Sequence, residues 1–265
     1  MPAPDPAHKR LLEQIVPIAQ EAGALAMTHF GGRLDVTMKT GNSPVTNADL
    51  AVDTFLRARL MAAFPDYGWL SEETADTPER LHLDRLFIVD PIDGTRAFMN
   101  GEDVWCVSVA AVEHGRPVAG VLVCPARREV FTAARGHGAT LNGAPMTPLA
   151  AGGEMAFAGP KPWLDKAETC LATPFRRHRF IPSLAYRIAM VADGRLTGTF
   201  VKPNAHDWDI AAADLILEEC GGRLVDGQGH DIVYNRPSSS HGAMIACKPD
   251  ALAPMLSVVR VMGLG

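Results

Sequence analysis

The hexapeptide Asp90-Pro91-Ile92-Asp93-Gly94-Thr95 sets two carboxylates three residues apart, directly after the apolar run Leu86-Phe87-Ile88-Val89. A short continuous run of this kind predicts a strand buried on both faces. Asp90 then emerges at its end, Pro91 breaks the ladder, and Asp93-Gly94-Thr95 turns into a short helix over 95–99. Free backbone N–H groups at a helix start bind anions, and Gly94 lets the backbone come close to a phosphate. Two carboxylates beside an anion site repel a phosphate unless cations lie between them. Mg²⁺ suits the position, because it takes one or two carboxylates together with a substrate phosphate. Each aspartate alone reads as a cap of a turn or helix, but the pair after a buried strand, followed by Gly-Thr, points to metal.

More acids recur at a distance. Trp69-Leu70-Ser71-Glu72-Glu73 carries an adjacent pair, and Asp207 and Asp209 flank Trp208 at the start of an apolar, alanine-rich segment. Asp207 is placed to cap a helix there, and Asp209 falls in its first turn, where the helix dipole favours negative charge. Trp208 reads as core or as a pocket wall. Phosphatases that form an aspartyl-phosphate space nucleophile and acid two residues apart. The separation of three between Asp90 and Asp93 argues instead for metal-activated water.

These groups need a scaffold, and the chain is long enough for one large domain or two small lobes, at 265 residues. It is 47% hydrophobic and 21% charged, with a net charge of −5, which gives no global reason to expect nucleic acid or a membrane as partner. The basic run Arg176-Arg177-His178-Arg179 is a local exception, either a solvated surface or an RNA-facing one. Five cysteines without a CxxC pair fit reduced thiols in a cytoplasm.

Apolar periodicity predicts a helix over 8–30, with a possible kink at Pro17 and an end at Gly31-Gly32. A strand follows at 34–39, then a turn over Gly41-Asn42-Ser43-Pro44 and a helix over 46–63. Thr46 and Asp49 have the spacing of a capping box. Strand-like runs lie at 104–113, 117–123 and 128–134, with a hairpin turn at His114-Gly115-Arg116. An Ala/Gly linker at 149–153 predicts a boundary between lobes at 1–150 and 151–265. Beyond it, strands are expected around Phe157 and at 178–181, 196–201, 223–226 and 243–247. Helices are expected at 163–171, 183–192, 208–220 and 249–257. The pattern is α+β, with an antiparallel sheet first and a more alternating half second.

Ser-Pro-Val-Thr-Asn-Ala-Asp (43–49), Trp-Leu-Ser-Glu-Glu (69–73), DPIDGTRAF (90–98) and WDIAAADLILEECGG (208–222) together resemble the inositol monophosphatase superfamily of Mg²⁺-dependent, lithium-sensitive phosphomonoesterases. The resemblance runs in order over nearly the whole chain. It implies a layered αβαβα sandwich of the sugar-phosphatase type, two lobes with the metal site between them, and a homodimer. It implies two or three Mg²⁺ ions held by Glu72, Asp90, the carbonyl of Ile92, Asp93 and Asp209, with Asp90 bridging. Thr95 and Glu72 would position and deprotonate the attacking water, supported by Asp49 and Thr46. Asp93, Gly94 and Thr95 would also meet a small phosphorylated metabolite.

Inositol-phosphate-cleaving members of the family carry a glutamate a few residues before the Trp-Asp pair; by spacing that position is Lys202. An ammonium there suits a second phosphate or another anion, or is a solvated lysine at the lobe edge. Ser183-Leu184-Ala185-Tyr186, with Val191-Ala192-Asp193-Gly194-Arg195 after it, resembles the 3'(2'),5'-bisphosphate nucleotidases, which remove the 3'-phosphate of 3'-phosphoadenosine 5'-phosphate. Ser71 before Glu72-Glu73, where glycine is commoner, points to the same branch. Tyr186 or Arg187 would then stack on or pair with the nucleotide, unless Tyr186 is core. Inositol-1-phosphate, histidinol-phosphate and sugar-phosphate hydrolysis stay open, as does a non-catalytic, RNA-linked role.

Overall fold

The computed structural model describes residues 4–39 and 44–264. Of the turn expected over Gly41-Asn42-Ser43-Pro44, only Pro44 falls within the described residues. The first helix, α1 (Pro6–His29), is capped by Asp5, whose carboxylate accepts from Ala7 N at 2.8 Å, and it continues past Pro17. β1 (Val36–Met38) and β2 (Pro44–Thr46) form a small antiparallel pair leading into α2 (Asn47–Ala63). The Thr46/Asp49 capping box is present at its start.

A seven-stranded sheet follows, ordered as in the chain: β3 (Gly68–Ser71), β4 (Arg85–Asp93), β5 (Cys106–Glu113), β6 (Arg116–Cys124), β7 (Glu129–Ala134), β8 (Ala139–Leu141) and β9 (Ala144–Pro145). Only the β3–β4 pair within it is parallel. The short helix α3 (Thr95–Met99) leaves the end of β4. The second half contributes β10 (Met155–Ala158), α4 (Lys161–Cys170), β11 (Phe175–Arg177), α5 (Leu184–Ala192), β12 (Gly198–Val201), α6 (Asp207–Glu219), β13 (Arg223–Asp226), β14 (Met244–Cys247) and α7 (Leu252–Val261). Its five strands are ordered β11-β10-β12-β14-β13.

Helices and sheets alternate in five layers. α1 and α2 cover one face of the large sheet, with Leu56, Leu60, Phe87 and Val89 in one apolar cluster. α5 and α6 fill the space between the sheets, and α4 and α7 close the far side. This is an α+β layered sandwich. The middle layer can sit close because β6 has a glycine where α6 has small residues. A Cβ on Gly120 would lie 3.0 Å from the carbonyl oxygen of Ala212, inside contact distance. Gly120 opposite Ala211-Ala212-Ala213 therefore sets how near α6, and with it Asp209, approaches the large sheet.

The structure departs from expectation in three places. Pro91 does not end β4: pairing with β5 runs from Asp90↔Ser108 to Asp93↔Cys106, one extra residue on β4. Pro91 sits in this bulge, where no ladder N–H is required of it. The strand expected at 178–181 is instead β11, because Phe175 is the residue that packs, its ring 4.8 Å from that of Phe157. β3, β8 and β9 are too short or too irregular in pattern to be read from periodicity.

Candidate active site

Residues i and i+3 on a regular strand point to opposite faces. The bulge at Pro91-Ile92 restores Asp90 and Asp93 to the same side, and α6 brings Asp209 across from the second half of the chain. One carboxylate oxygen from each of the three lies within 4.8 Å of the others. Asp93 is fixed by the start of α5. Ser183 Oγ donates to it at 2.6 Å, Ala185 N at 2.7 Å and Leu184 N at 3.2 Å. Asp209 accepts from His206 N at 2.6 Å, and Asp90 accepts from Ile92 N at 3.0 Å. Gly94, at φ +96°, crosses closely over Ser183: an added Cβ would lie 3.1 Å from its Cβ.

Burial raises the Asp90 and Asp209 carboxyls well above the usual carboxylate range, and the neighbouring acids add to it. Burial also pushes Asp93 up to about 6, against the three donors from α5. Like charges buried side by side are stable only when protonated or bridged by a cation. An all-oxygen donor set of this kind fits a hard divalent ion.

Glu72 leaves β3 beside the end of β4, its N–H reaching Val89 O at 3.3 Å. It lines the cavity that contains the three aspartates but stands outside their tight group. Its Oε1 accepts from Lys39 Nζ at 3.2 Å, while Glu73 takes the same ammonium at 2.6 Å. Burial pushes Glu73 up to about 7 against Lys39. Two residues not expected at the site hold this segment: Lys39, and Asp53 on α2, whose carboxylate accepts from Ser71 Oγ at 2.5 Å and Thr74 Oγ1 at 2.7 Å. Asp53 lies one helical turn after Asp49, a same-face spacing that could have flagged it. The serine before Glu72-Glu73 is thus a fastening of the turn that carries them.

Behind the aspartates, Thr95 Oγ1 lies 3.2 Å from Asp49 Oδ1 and 3.1 Å from Ile92 O. Thr46 donates to the other oxygen of Asp49 through both Oγ1, at 2.5 Å, and N, at 2.8 Å. Burial raises the Asp49 carboxyl above its ordinary value. Thr46, Asp49 and Thr95 form one buried chain that ends at the cavity wall.

The carboxylate cavity, about 430 Å³, is lined by Glu72, Asp90, Gly94 and Thr95 among others. It shares Asp93, Asp209, Phe180 and Pro182 with a neighbouring cavity of about 330 Å³ that carries Arg187, Lys202 and Asn204. Lys202 is exposed at its rim. Tyr186, by contrast, lies in the core with its ring against Phe131, and its hydroxyl donates to Glu129 at 2.9 Å. One position along α5 turns the side chain from cavity to core, so the aromatic contact expected of Tyr186 is not available. Asp207 does not cap α6 either: the cap residue is His206, and Asp207 pairs with His241 Nε2 at 2.6 Å and accepts from Asn235 N at 3.1 Å. In the basic run, Arg177 is tied to Asp165 and Glu168 on α4.

The sequence model of the inositol monophosphatase family matches residues 8–257. The chain belongs to the inositol monophosphatase family. It is a phosphatase of that metal-dependent family. A histidinol-phosphatase of Chlorobaculum parvum is 33% identical over 84% of this chain and 88% of its own. The 3'(2'),5'-bisphosphate nucleotidase CysQ of Aggregatibacter actinomycetemcomitans is 30% identical over 86% and 89%. Among solved structures, the IMPase of Thermotoga maritima superposes with a TM-score of 0.83 at 29% identity, covering 97% of this chain and all of that one, 100%. Within the family, these relatives differ in the alcohol named as substrate. Among the described residues no helix is long and apolar enough to cross a membrane.

Proposed function

We propose that the chain is a Mg²⁺-dependent phosphomonoesterase whose preferred substrate carries a second anionic group, with 3'-phosphoadenosine 5'-phosphate as the leading candidate. Glu72, Asp90, Asp93 and Asp209 are the residues that would hold Mg²⁺. When bound, the ions supply a Lewis acid for the phosphate and acidify water. The chain's own groups do the rest. Asp49, raised by burial and held by Thr46, takes the hydrogen bond of Thr95 Oγ1, which leaves a Thr95 lone pair to accept from the attacking water. Proton acceptance can pass along this pair without any group leaving its hydrogen-bonded position. Asp93, anchored on α5, is kept from moving towards the phosphate it would otherwise repel.

The observation that supports the substrate assignment is the position of Lys202. It lines the cavity that adjoins the aspartates, where an acid would be needed to accept the hydroxyls of a cyclitol. With Arg187 in the same cavity, two cations stand beside Asp93 and Asp209, and a second phosphate would have both to pair with. Phosphate release from 3'-phosphoadenosine 5'-phosphate, inositol 1-phosphate, histidinol phosphate and fructose 1,6-bisphosphate, measured with and without Mg²⁺, tests this. The nucleotide should give the largest kcat/KM. An enzyme that prefers inositol 1-phosphate would refute the assignment, and release without divalent ion would refute the metal dependence.

A further inference from the structure

We propose that Phe180 is a stacking platform for a planar heterocycle on the substrate's leaving group, with Arg187 as its polar partner. The proposal rests on the phosphomonoesterase reading above, and it identifies which part of the chain recognises the base.

Phe180 is 73% exposed, the most exposed large apolar side chain among the described residues. Single exposed apolar residues are ordinary, but this one forms part of the wall between the two cavities. None of the other exposed large apolar side chains lines either of them. An exposed ring in a cavity wall offers a face for one flat ring to stack on. The chain that follows it is held. Ile181 is buried, and its carbonyl accepts from Arg187 Nη1 at 3.2 Å. Phe180 is thereby presented from an irregular segment whose position is set from below.

Arg187 adds the second observation. The side chain is 8% exposed and lines the cavity, and its buried Nε has no hydrogen-bond partner among the described residues. Buried donors are normally paired, and a charged guanidinium that lines a cavity suits a ligand acceptor. Burial lowers it to about 10, so it keeps its charge at neutral pH. A ring nitrogen or a phosphate oxygen on the same leaving group pairs with the guanidinium while the ring covers Phe180. Cyclitols have no flat face to offer, so this pair selects a nucleotide over an inositol phosphate.

Calorimetric titration of the full chain in Mg²⁺ with adenosine 5'-phosphate and with ribose 5-phosphate isolates the base. The nucleotide should bind more tightly by roughly five- to a hundred-fold, the range of base–aromatic stacking. Phe180→Ala should bring that ratio close to one, and Phe180→Trp should keep it. Because the side chain is exposed, both variants should keep the wild-type melting temperature. Arg187→Lys keeps the charge and loses the planar guanidinium, and should narrow the ratio. A wild-type ratio near one, or a ratio that survives Phe180→Ala, overturns the platform; a ratio unchanged in Arg187→Lys removes Arg187 from it. A chain that shows the base preference in binding but releases no phosphate from 3'-phosphoadenosine 5'-phosphate refutes the hydrolytic reading and leaves the platform standing.

Discussion

Asp90, Asp93 and Asp209 stand on regular elements, the bulged end of β4 and the first turn of α6, and backbone or hydroxyl donors fix each of them. Phe180, Pro182, Lys202 and Asn204, a few ångströms along the same opening, stand on segments without regular structure. The first set is crowded with like charge and mostly buried; the second carries the Lys202 ammonium and is more open. On the proposed function, a site built in this way would keep its reacting chemistry in the rigid part and leave the choice of alcohol to the part that tolerates substitution. This agrees with a family in which relatives at about a third identity carry different substrate names.

Changes at the rigid end should have the largest effects. Asp93→Asn and Asp209→Asn should each lower kcat by roughly 10²–10³-fold or more, the scale of losing one preorganised electrostatic group. They should also abolish the rise in melting temperature that Mg²⁺ produces. In the wild type that rise should grow between pH 5 and pH 8. Asp90, Asp93 and Asp209 are all raised, Asp93 to about 6, so protons compete with the ion more at the lower pH than at the higher. A Mg²⁺ response independent of pH would break the description of this end as a cluster of uncompensated acids. Asp49→Asn should cost roughly 10²-fold in kcat and leave the Mg²⁺ response in place, which separates proton acceptance from ion binding.

At the open end the expected effects are smaller and fall on KM. Lys202→Glu should raise KM for 3'-phosphoadenosine 5'-phosphate about tenfold, the equivalent of about 1.4 kcal/mol, with inositol 1-phosphate unaffected or improved. An unchanged ranking of substrates would make Lys202 a surface residue only. Asp214 sharpens the contrast from outside the site. It is also a buried acid, pushed up to about 7 by burial, but its partner is the Tyr234 hydroxyl at 2.8 Å. Its folded value lies above its ordinary 3.8, so the folded state binds the extra proton and stability is lost as pH rises from about 4 to about 7. Asp214→Asn should flatten that decline by roughly 5 °C in melting temperature and leave kcat and the Mg²⁺ response as they were.

How much of this could be read in the sequence follows the same division. The rigid end announces itself because its elements are local. An apolar run ends in DPIDGT, a capping box joins Thr46 to Asp49, and an alanine-rich helix carries Asp209 in its first turn. The open end depends on which way neighbouring residues face once α5 is packed. Tyr186 and Arg187 are adjacent in sequence, and only the fold sends one to the core and the other to the cavity. Phe180 was part of an expected strand because nothing local tells it apart from Phe175, which does pack. The bulge at Pro91-Ile92 is hidden in the sequence for a related reason: a proline after a strand reads as a stop, and only the register of β5 shows the strand resuming.

The middle layer of the sandwich has a consequence for how the chain is made. The large sheet is complete at Pro145, but α6, which covers its second face, begins only at Asp207. At ribosomal rates of roughly 5–20 residues per second, that face waits several seconds for its cover. During synthesis the finished sheet is therefore a sticky intermediate, and Leu122, Phe131 and Ala133 are the side chains a chaperone would find uncovered.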